Sequence, residues 1–296
     1  MAKKNLKKRV LQIFAGLAVL GAIGMYFGLR TMGIIPRAVY ETEPPELPEF
    51  SRPAVLVLNK TNGFVHRDAI PAADAMLQKI AEQQGWDILI TDNAASHNAQ
   101  DLSRFALVVW NNTSGDILTE AQRADFKAWL ENGGGWVGLH AAGGDPVYQW
   151  GWYVESLIGA QFIGHTMFEQ FRDADVLVAD PELAITDHLP AAWRINREEW
   201  YAFDSNPRKK GYEILLVADE SSYMEESEGR GSFFPFHMEG EHPLVWRHTL
   251  DSGRVFYSAI GHQAATYSIP EYHTLITRAM LWAKSSAPEL TTSSTE

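Results

Sequence analysis

The sequence predicts an α/β protein on a doubly wound parallel sheet, with α+β additions in its C-terminal half. Three observations carry this. From residue 54 onward, short, nearly continuous apolar runs alternate with segments of helical periodicity; runs of that kind are what strands covered on both faces require. The alternation itself closes into parallel strands with right-handed crossovers. Three of the strand ends are polar and glycine-bearing, as the carboxyl edge of such a sheet is where ligands bind.

In chain order, residues 54–58 are the first strand. Ile70, Ala73, Leu77 and Ile80 then repeat at helical spacing until Gly85 stops the helix. Residues 87–91 and 106–110 give the second and third strands. Thr119 and Gln122 have the spacing of a capping box, opening a helix through Glu131 that Asn132 and Gly133 end. Residues 136–139 are the fourth strand. From Phe162 the pattern is less regular, with strand candidates at 175–178, 213–217 and 255–259. There is no internal repeat.

Ahead of this domain, Lys3, Lys4, Lys7, Lys8 and Arg9 precede an uncharged run at 10–29. As a helix, those twenty residues reach about 30 Å, the hydrocarbon thickness of a bilayer. The alternative, a cleaved signal peptide, has a shorter apolar stretch and a small-residue cleavage site; here Arg30, Thr31 and Met32 follow instead. The excess of cations before the span orients the N-terminus to the cytoplasm. The expected organisation is a basic cytoplasmic segment at 1–9, a single-pass anchor at 10–29 and a Pro/Glu-rich linker at 30–53. A domain at 54–283 on the periplasmic or extracellular side follows, then a disordered Ser/Thr tail at 284–296. The linker composition predicts an extended, solvated spacer.

The net charge of −12 is carried wholly by the domain side, since residues 1–36 hold no acid. Such a surface repels nucleic acid. With no cysteine in the chain there is no disulfide, thiolate metal site or cysteine nucleophile. The serine-hydrolase elbow G-x-S-x-G and the zinc signature H-E-x-x-H are also absent. His66, His140, His165, His242 and His262 are scattered, so a divalent metal remains open, with no ligand set assigned.

The candidate site follows from the strand ends. Residues 59–66 end in His66, residues 111–116 bring Asn111, Thr113 and Asp116, and His140 falls on a sharp strand-to-loop turn followed by Gly143, Gly144 and Asp145. Each cluster alone is ordinary turn chemistry; together on one sheet edge they line a ligand site. Aromatic residues gather after His140, among them Tyr148, Trp150, Trp152 and Tyr153, with Trp200 and Tyr201 further on. Flat rings with polar handles suit sugars. Glu198 and Glu199 are adjacent, so on a strand at most one faces a site.

These stretches resemble the ThuA-like (trehalose utilisation) family over residues 54–283. The resemblance rests on Phe64-Val65-His66, residues 111–116, residues 133–142, Trp152-Tyr153, Gly164-His165, Glu199-Trp200-Tyr201, Asn206-Pro207-Arg208, residues 219–223, residues 242–246 and Gly261-His262. It implies a flavodoxin-like sheet related to the class I glutamine amidotransferases, and a role in disaccharide or oxidised-sugar metabolism. In those amidotransferases a nucleophilic cysteine occupies the turn where this chain has His140, so that activity is not available here. Val65 departs from the family pattern, standing where a basic residue commonly precedes the histidine.

The function expected is action on a carbohydrate, a keto-glycoside or disaccharide, by histidine acid/base chemistry. His66 and His140 would exchange protons, assisted by His165 and Glu199. Asn111, Thr113, Asp116, Tyr201 and His262 would bind the substrate, and Trp152 and Trp200 would stack on the sugar. The alternative is a non-catalytic carbohydrate-binding or scaffolding module.

Overall fold

The computed structural model describes residues 2–31, 35, 39–144, 150–166, 169–224, 237–238 and 240–284. Asp145 and Tyr148, singled out above, lie outside these residues, as does the tail from residue 285. In chain order the strands are β1 (Ala54–Leu58), β2 (Asp87–Thr91), β3 (Leu107–Asn111), β4 (Gly135–Leu139), β5 (Phe162–His165), β6 (Arg172–Val178), β7 (Ala192–Glu198), β8 (Tyr201–Phe203), β9 (Glu213–Ala218), β10 (His242–Leu250) and β11 (Gly253–Ser258). The α-helices are α1 (Ala2–Thr31), α2 (Ala69–Gln84), α3 (Ala99–Leu102), α4 (Glu120–Glu131) and α5 (Pro270–Lys284).

Nine strands share one sheet, ordered β2-β1-β3-β4-β11-β10-β9-β6-β7. The first five pair in parallel. With β11 in fifth place this is the flavodoxin-like order, whose switch point lies between β1 and β3. The remaining strands extend the sheet in antiparallel fashion, while β5 and β8 pair separately.

Side chains of the parallel strands alternate between two cores. Val55, Val57, Leu107, Val109, Val137 and Leu139 pack with Leu77 and Ile80 of α2 and Leu275 and Ile276 of α5. Leu56, Leu58, Val108, Trp110 and Trp136 pack with Phe126 and Leu130 of α4 on the other face. Helices on both faces bury every residue of β1, β3 and β4, each large aliphatic side chain contributing roughly 1.5–3 kcal/mol.

The helix signals act as expected. Gly85 ends α2 in the left-handed conformation at φ 66°, its N–H reaching Ala81 O and Glu82 O. Thr119 and Gln122 form both halves of the capping box that opens α4. The third strand begins at Leu107 and includes Asn111, and β6 starts at Arg172. Strands β5, β7, β8 and β10 and helix α5 are beyond what the periodicity reveals. In β7 polar residues occupy most exposed positions of a half-covered strand, so no apolar run marks it.

Segment 39–53 differs from a free spacer. It has no regular structure and is mostly exposed, yet it is tied to the domain. Glu41 pairs with the ammonium of Lys60 and accepts the N–H of Ala94. Val39 O accepts from Asn62 Nδ2, Glu43 O from Asn93 Nδ2 and Pro48 O from Arg104. Of the acids that composition reads as solvating here, Glu41 meets donors through its carboxylate, and the other ties run through backbone carbonyls.

Residues Lys8–Arg30 of α1 form one helix long and apolar enough to cross a membrane, with none of its residues buried within the chain. A signal sequence meets the same criteria.

Candidate active site

The loops after β1 and β3 are stitched together. Asn62 N and Gly63 N both donate to Ser114 O at 2.7 and 3.0 Å, and Ser114 Oγ donates to Phe64 O at 2.6 Å. Gly63 and Gly115 let the two backbones approach: a Cβ on Gly115, at φ 71°, would lie 2.7 Å from Gly63 N. This contact fixes the loop that ends in His66.

His140 follows β4 with φ 45°, the left-handed conformation that a sharp turn demands. Its ring is fully buried. Nδ1 is 2.7 Å from Ala259 O and donates to it, so Nε2 is the nitrogen that points the other way, toward the cluster. Tyr257 Oη donates to His140 O at 2.7 Å, and the Tyr201 ring stacks on the imidazole at 4.2 Å. Tyr201 is itself held through its carbonyl, which accepts from His242 Nε2 at 2.7 Å; His242 Nδ1 contacts Glu220 at 2.6 Å.

Three further segments meet His140. Beside it is His262, on the loop after β11, its Nδ1 3.3 Å from His140 Nε2. Glu199, just past β7, places Oε2 3.0 Å from His262 Nδ1 and 3.4 Å from His140 Nε2. Its Oε1 is held by Gln170 Nε2 and lies 3.3 Å from His165 Nδ1. The His66 ring meets His140 and His262 edge-on at 4.8 and 4.6 Å. One ligand atom from each of His66, His140, Glu199 and His262 falls within 4.8 Å of all the others, so this set could hold a metal ion.

Burial sets the protonation of the centre. It alone would raise Glu199, but hydrogen bonds from His140 and His262 outweigh it and hold the carboxyl far below the ordinary carboxylate range. His66 is pushed well below the ordinary imidazole value by burial and then by the neighbouring imidazoles, so it stays neutral. Glu198 is raised by burial; it does not enter the cluster but accepts the N–H of His262 at 3.0 Å and the Thr266 hydroxyl. As the alternation argument requires, one of the two adjacent glutamates faces the centre.

Of the residues expected in the site, the structure gathers His66, His140, His165, Glu199, Tyr201 and His262. The others lie away from this cluster or have partners in the framework. Asn111 spends its amide on Ile70 O and Asp74, tying β3 to α2, and accepts from Asn112. Asp116 pairs with Arg123 at 3.0 Å, and Thr113 is buried in the stitched loop. Trp200 is a core residue whose Nε1 donates to Arg172 O. Trp152 packs against Trp150 and Phe126. Among the described residues, the rings that flank the centre besides Tyr201 are Phe64, 43% exposed and 4.8 Å from His66, and Phe171, 4.9 Å from His262. Phe64 stands in the first motif quoted above, whereas nothing local marks Phe171 or Gln170. A cleft of about 680 Å³ lined by Phe203, Arg208 and Glu241 shares no residue with the centre.

Fold and centre together define a flavodoxin-like α/β protein with an imidazole–carboxylate cluster at the carboxyl edge of its parallel strands. The chain belongs to the ThuA family, described as trehalose utilisation, whose sequence model matches residues 54–283. It is similar to the crystal structure of a ThuA-like protein from Bacteroides uniformis, at 26% identity over 81% of this chain and 95% of that one, with a TM-score of 0.66. A ThuA-like protein from Parabacteroides merdae matches at 20% identity over 79% and 90%, with a TM-score of 0.56. A β-galactosidase from Bacillus circulans sp. alkalophilus shares the fold alone, at 9% identity over 80% of this chain and 32% of that one, TM-score 0.50. No curated protein matches. The family gives the protein a carbohydrate-related role.

Proposed function

We propose that this protein is an enzyme acting on a carbohydrate, a keto-glycoside or disaccharide, at the centre of His66, His140, Glu199 and His262. The observation behind this reading is convergence: four segments each bring one proton-exchanging or electron-donating group to a single point. Packing alone gives no reason to bury three imidazoles and a carboxylate together, since each costs desolvation.

The chemistry available is proton transfer at a sugar oxygen. His140 Nε2 offers a lone pair to a hydroxyl proton, and the adjacent Glu199 carboxylate stabilises the imidazolium that forms. His262 and His165 keep 16% and 23% of their side chains in solvent, so they form the open side of the cluster and His165 can relay the proton to water. Phe64 and Phe171 offer ring faces to the C–H side of the sugar. The N-terminal helix serves as an uncleaved anchor, holding the domain on the periplasmic or extracellular side.

The deciding experiment incubates the full-length protein, solubilised in detergent, with glucosides and with their 3-keto forms and identifies the products by mass spectrometry. Turnover that falls by about 10²–10⁴ in His140→Ala supports the proposal. Sugar binding without turnover in either chain makes the protein a non-catalytic carbohydrate-binding module instead.

A further inference from the structure

We infer that His66, His140, Glu199 and His262 form the binding site of one divalent transition-metal ion of the zinc class. The inference uses the residues of the proposed active site but does not depend on the sugar.

The first argument is metric. His262 Nδ1, Glu199 Oε2 and His140 Nε2 form a triangle with edges of 3.0, 3.3 and 3.4 Å. Ligands bound at about 2.0–2.1 Å around a tetrahedral ion stand roughly 3.3 Å apart. The triangle therefore has the size of one face of such a site.

The second argument concerns the outer partners. His140 donates Nδ1–H to Ala259 O, so Nε2 is the nitrogen aimed at the centre, the arrangement that metal-ligating histidines adopt. Glu199 Oε1 is engaged by Gln170 and His165, so Oε2 is the oxygen turned inward. Glu198 fixes the His262 backbone from outside the cluster. His140, Glu199 and His262 are thus each held by a group outside the triangle.

His66 supplies an independent observation. It is only 7% exposed, and its buried Nδ1 has no hydrogen-bond partner among the described residues. A buried polar nitrogen without a partner costs about 1–3 kcal/mol. A purely ionic reading, an imidazolium of His140 paired with Glu199, would leave His66 with nothing to do; an ion at the centre gives the cluster a use for a neutral imidazole. Three nitrogens and one oxygen suit zinc and its first-row neighbours rather than magnesium or calcium, which favour oxygen donors. The open side at His262 and His165 leaves room for water or a sugar oxygen as a further ligand.

The test uses full-length protein in detergent, stripped with chelator, dialysed, and titrated with Zn²⁺ by calorimetry, with the thermal midpoint followed in parallel. One ion per chain and a raised midpoint are expected. Affinity should drop roughly 100-fold or more in His262→Ala and in Glu199→Gln, and remain in His188→Ala, a control histidine whose Nε2 is bound to Glu271 O. Far-UV circular dichroism establishes that each variant is folded. No saturable binding by the unmodified chain, or equal affinity in the unmodified chain and both ligand variants, overturns the site. The two proposals fail separately: a chain that binds zinc but turns over no sugar loses the function above and keeps the metal site. A stripped chain that binds no zinc yet turns over sugar does the reverse.

Discussion

Glu198 and Glu199 are consecutive, and both reach His262, one through its peptide and one through its ring. Glu198 Oε1 accepts the His262 N–H at 3.0 Å, while Glu199 Oε2 lies 3.0 Å from His262 Nδ1. The first sets where the loop after β11 runs; the second draws the imidazole into the cluster. Burial raises Glu198, whereas hydrogen bonds from His140 and His262 overcome the same burial at Glu199.

Glu198→Ala removes the acceptor for three backbone N–H groups, those of Glu199, His262 and Gln263, and for the Thr266 hydroxyl at once. The expected loss is about 1–3 kcal/mol in a urea unfolding titration. A change below about 0.5 kcal/mol, the usual range for surface substitutions, would mean that water replaces Glu198 without cost.

Stability should fall on acidification through the imidazole range. Burial lowers His97 from 6.5 to about 3, and its Nε2 accepts from Trp110 Nε1; His66 is lowered by burial and its imidazole neighbours. Both are neutral in the fold over the imidazole range, so below about 6.5 the unfolded chain binds more protons, a difference that extends down to about 3 for His97. Their contribution is complete above the unfolded value and is lost as pH falls. Glu199, also lowered, has the same sign in a more acidic window. Glu198, raised, has the opposite sign: its contribution is complete below the ordinary glutamate value and is lost as pH rises through the folded one. Across this interval the two imidazoles oppose Glu198, so the urea midpoint should be lower near pH 4.5 than near pH 7.5; an unchanged or higher midpoint contradicts the assignment.

Gly115→Ala tests the stitch between the loops after β1 and β3. The new methyl would meet Gly63 N at 2.7 Å and Asn62 C at 2.8 Å, at a backbone φ of 71°. A loss of about 1–3 kcal/mol is expected, together with reduced turnover because His66 ends the displaced loop. Full stability in the variant would show that the loops can part without cost.

Protease added to spheroplasts should release the domain if it lies outside the cytoplasm. Because residues 39, 41, 43 and 48 are bonded to the domain, the cut should fall before Val39 rather than throughout the Pro/Glu-rich stretch. Protection until lysis would place the domain in the cytoplasm.

The sequence by itself determined the local features of this protein. The helix-capping pair Thr119 and Gln122, the stop at Gly85, the apolar strands β1 and β4, the sharp turn at His140 and the apolar run at 10–29 all depend on a few neighbouring residues. Such signals survive in a string of letters because their causes are local. The rule that ligands gather beyond the carboxyl ends of parallel strands likewise brought His66 and His140 into view.

Only the tertiary structure decided which polar residues meet. His262 reaches His140 because β11 pairs beside β4, and Glu199 arrives at the end of β7 after four antiparallel strands extend the sheet. The same packing removed Asn111 and Trp200 from the site, since each finds a partner in the framework that its neighbours in sequence do not disclose. A side chain's chemistry is a local property, but its direction and company are set by which strands lie side by side. Pairing between distant segments therefore turned scattered histidines and one of two adjacent glutamates into a single centre.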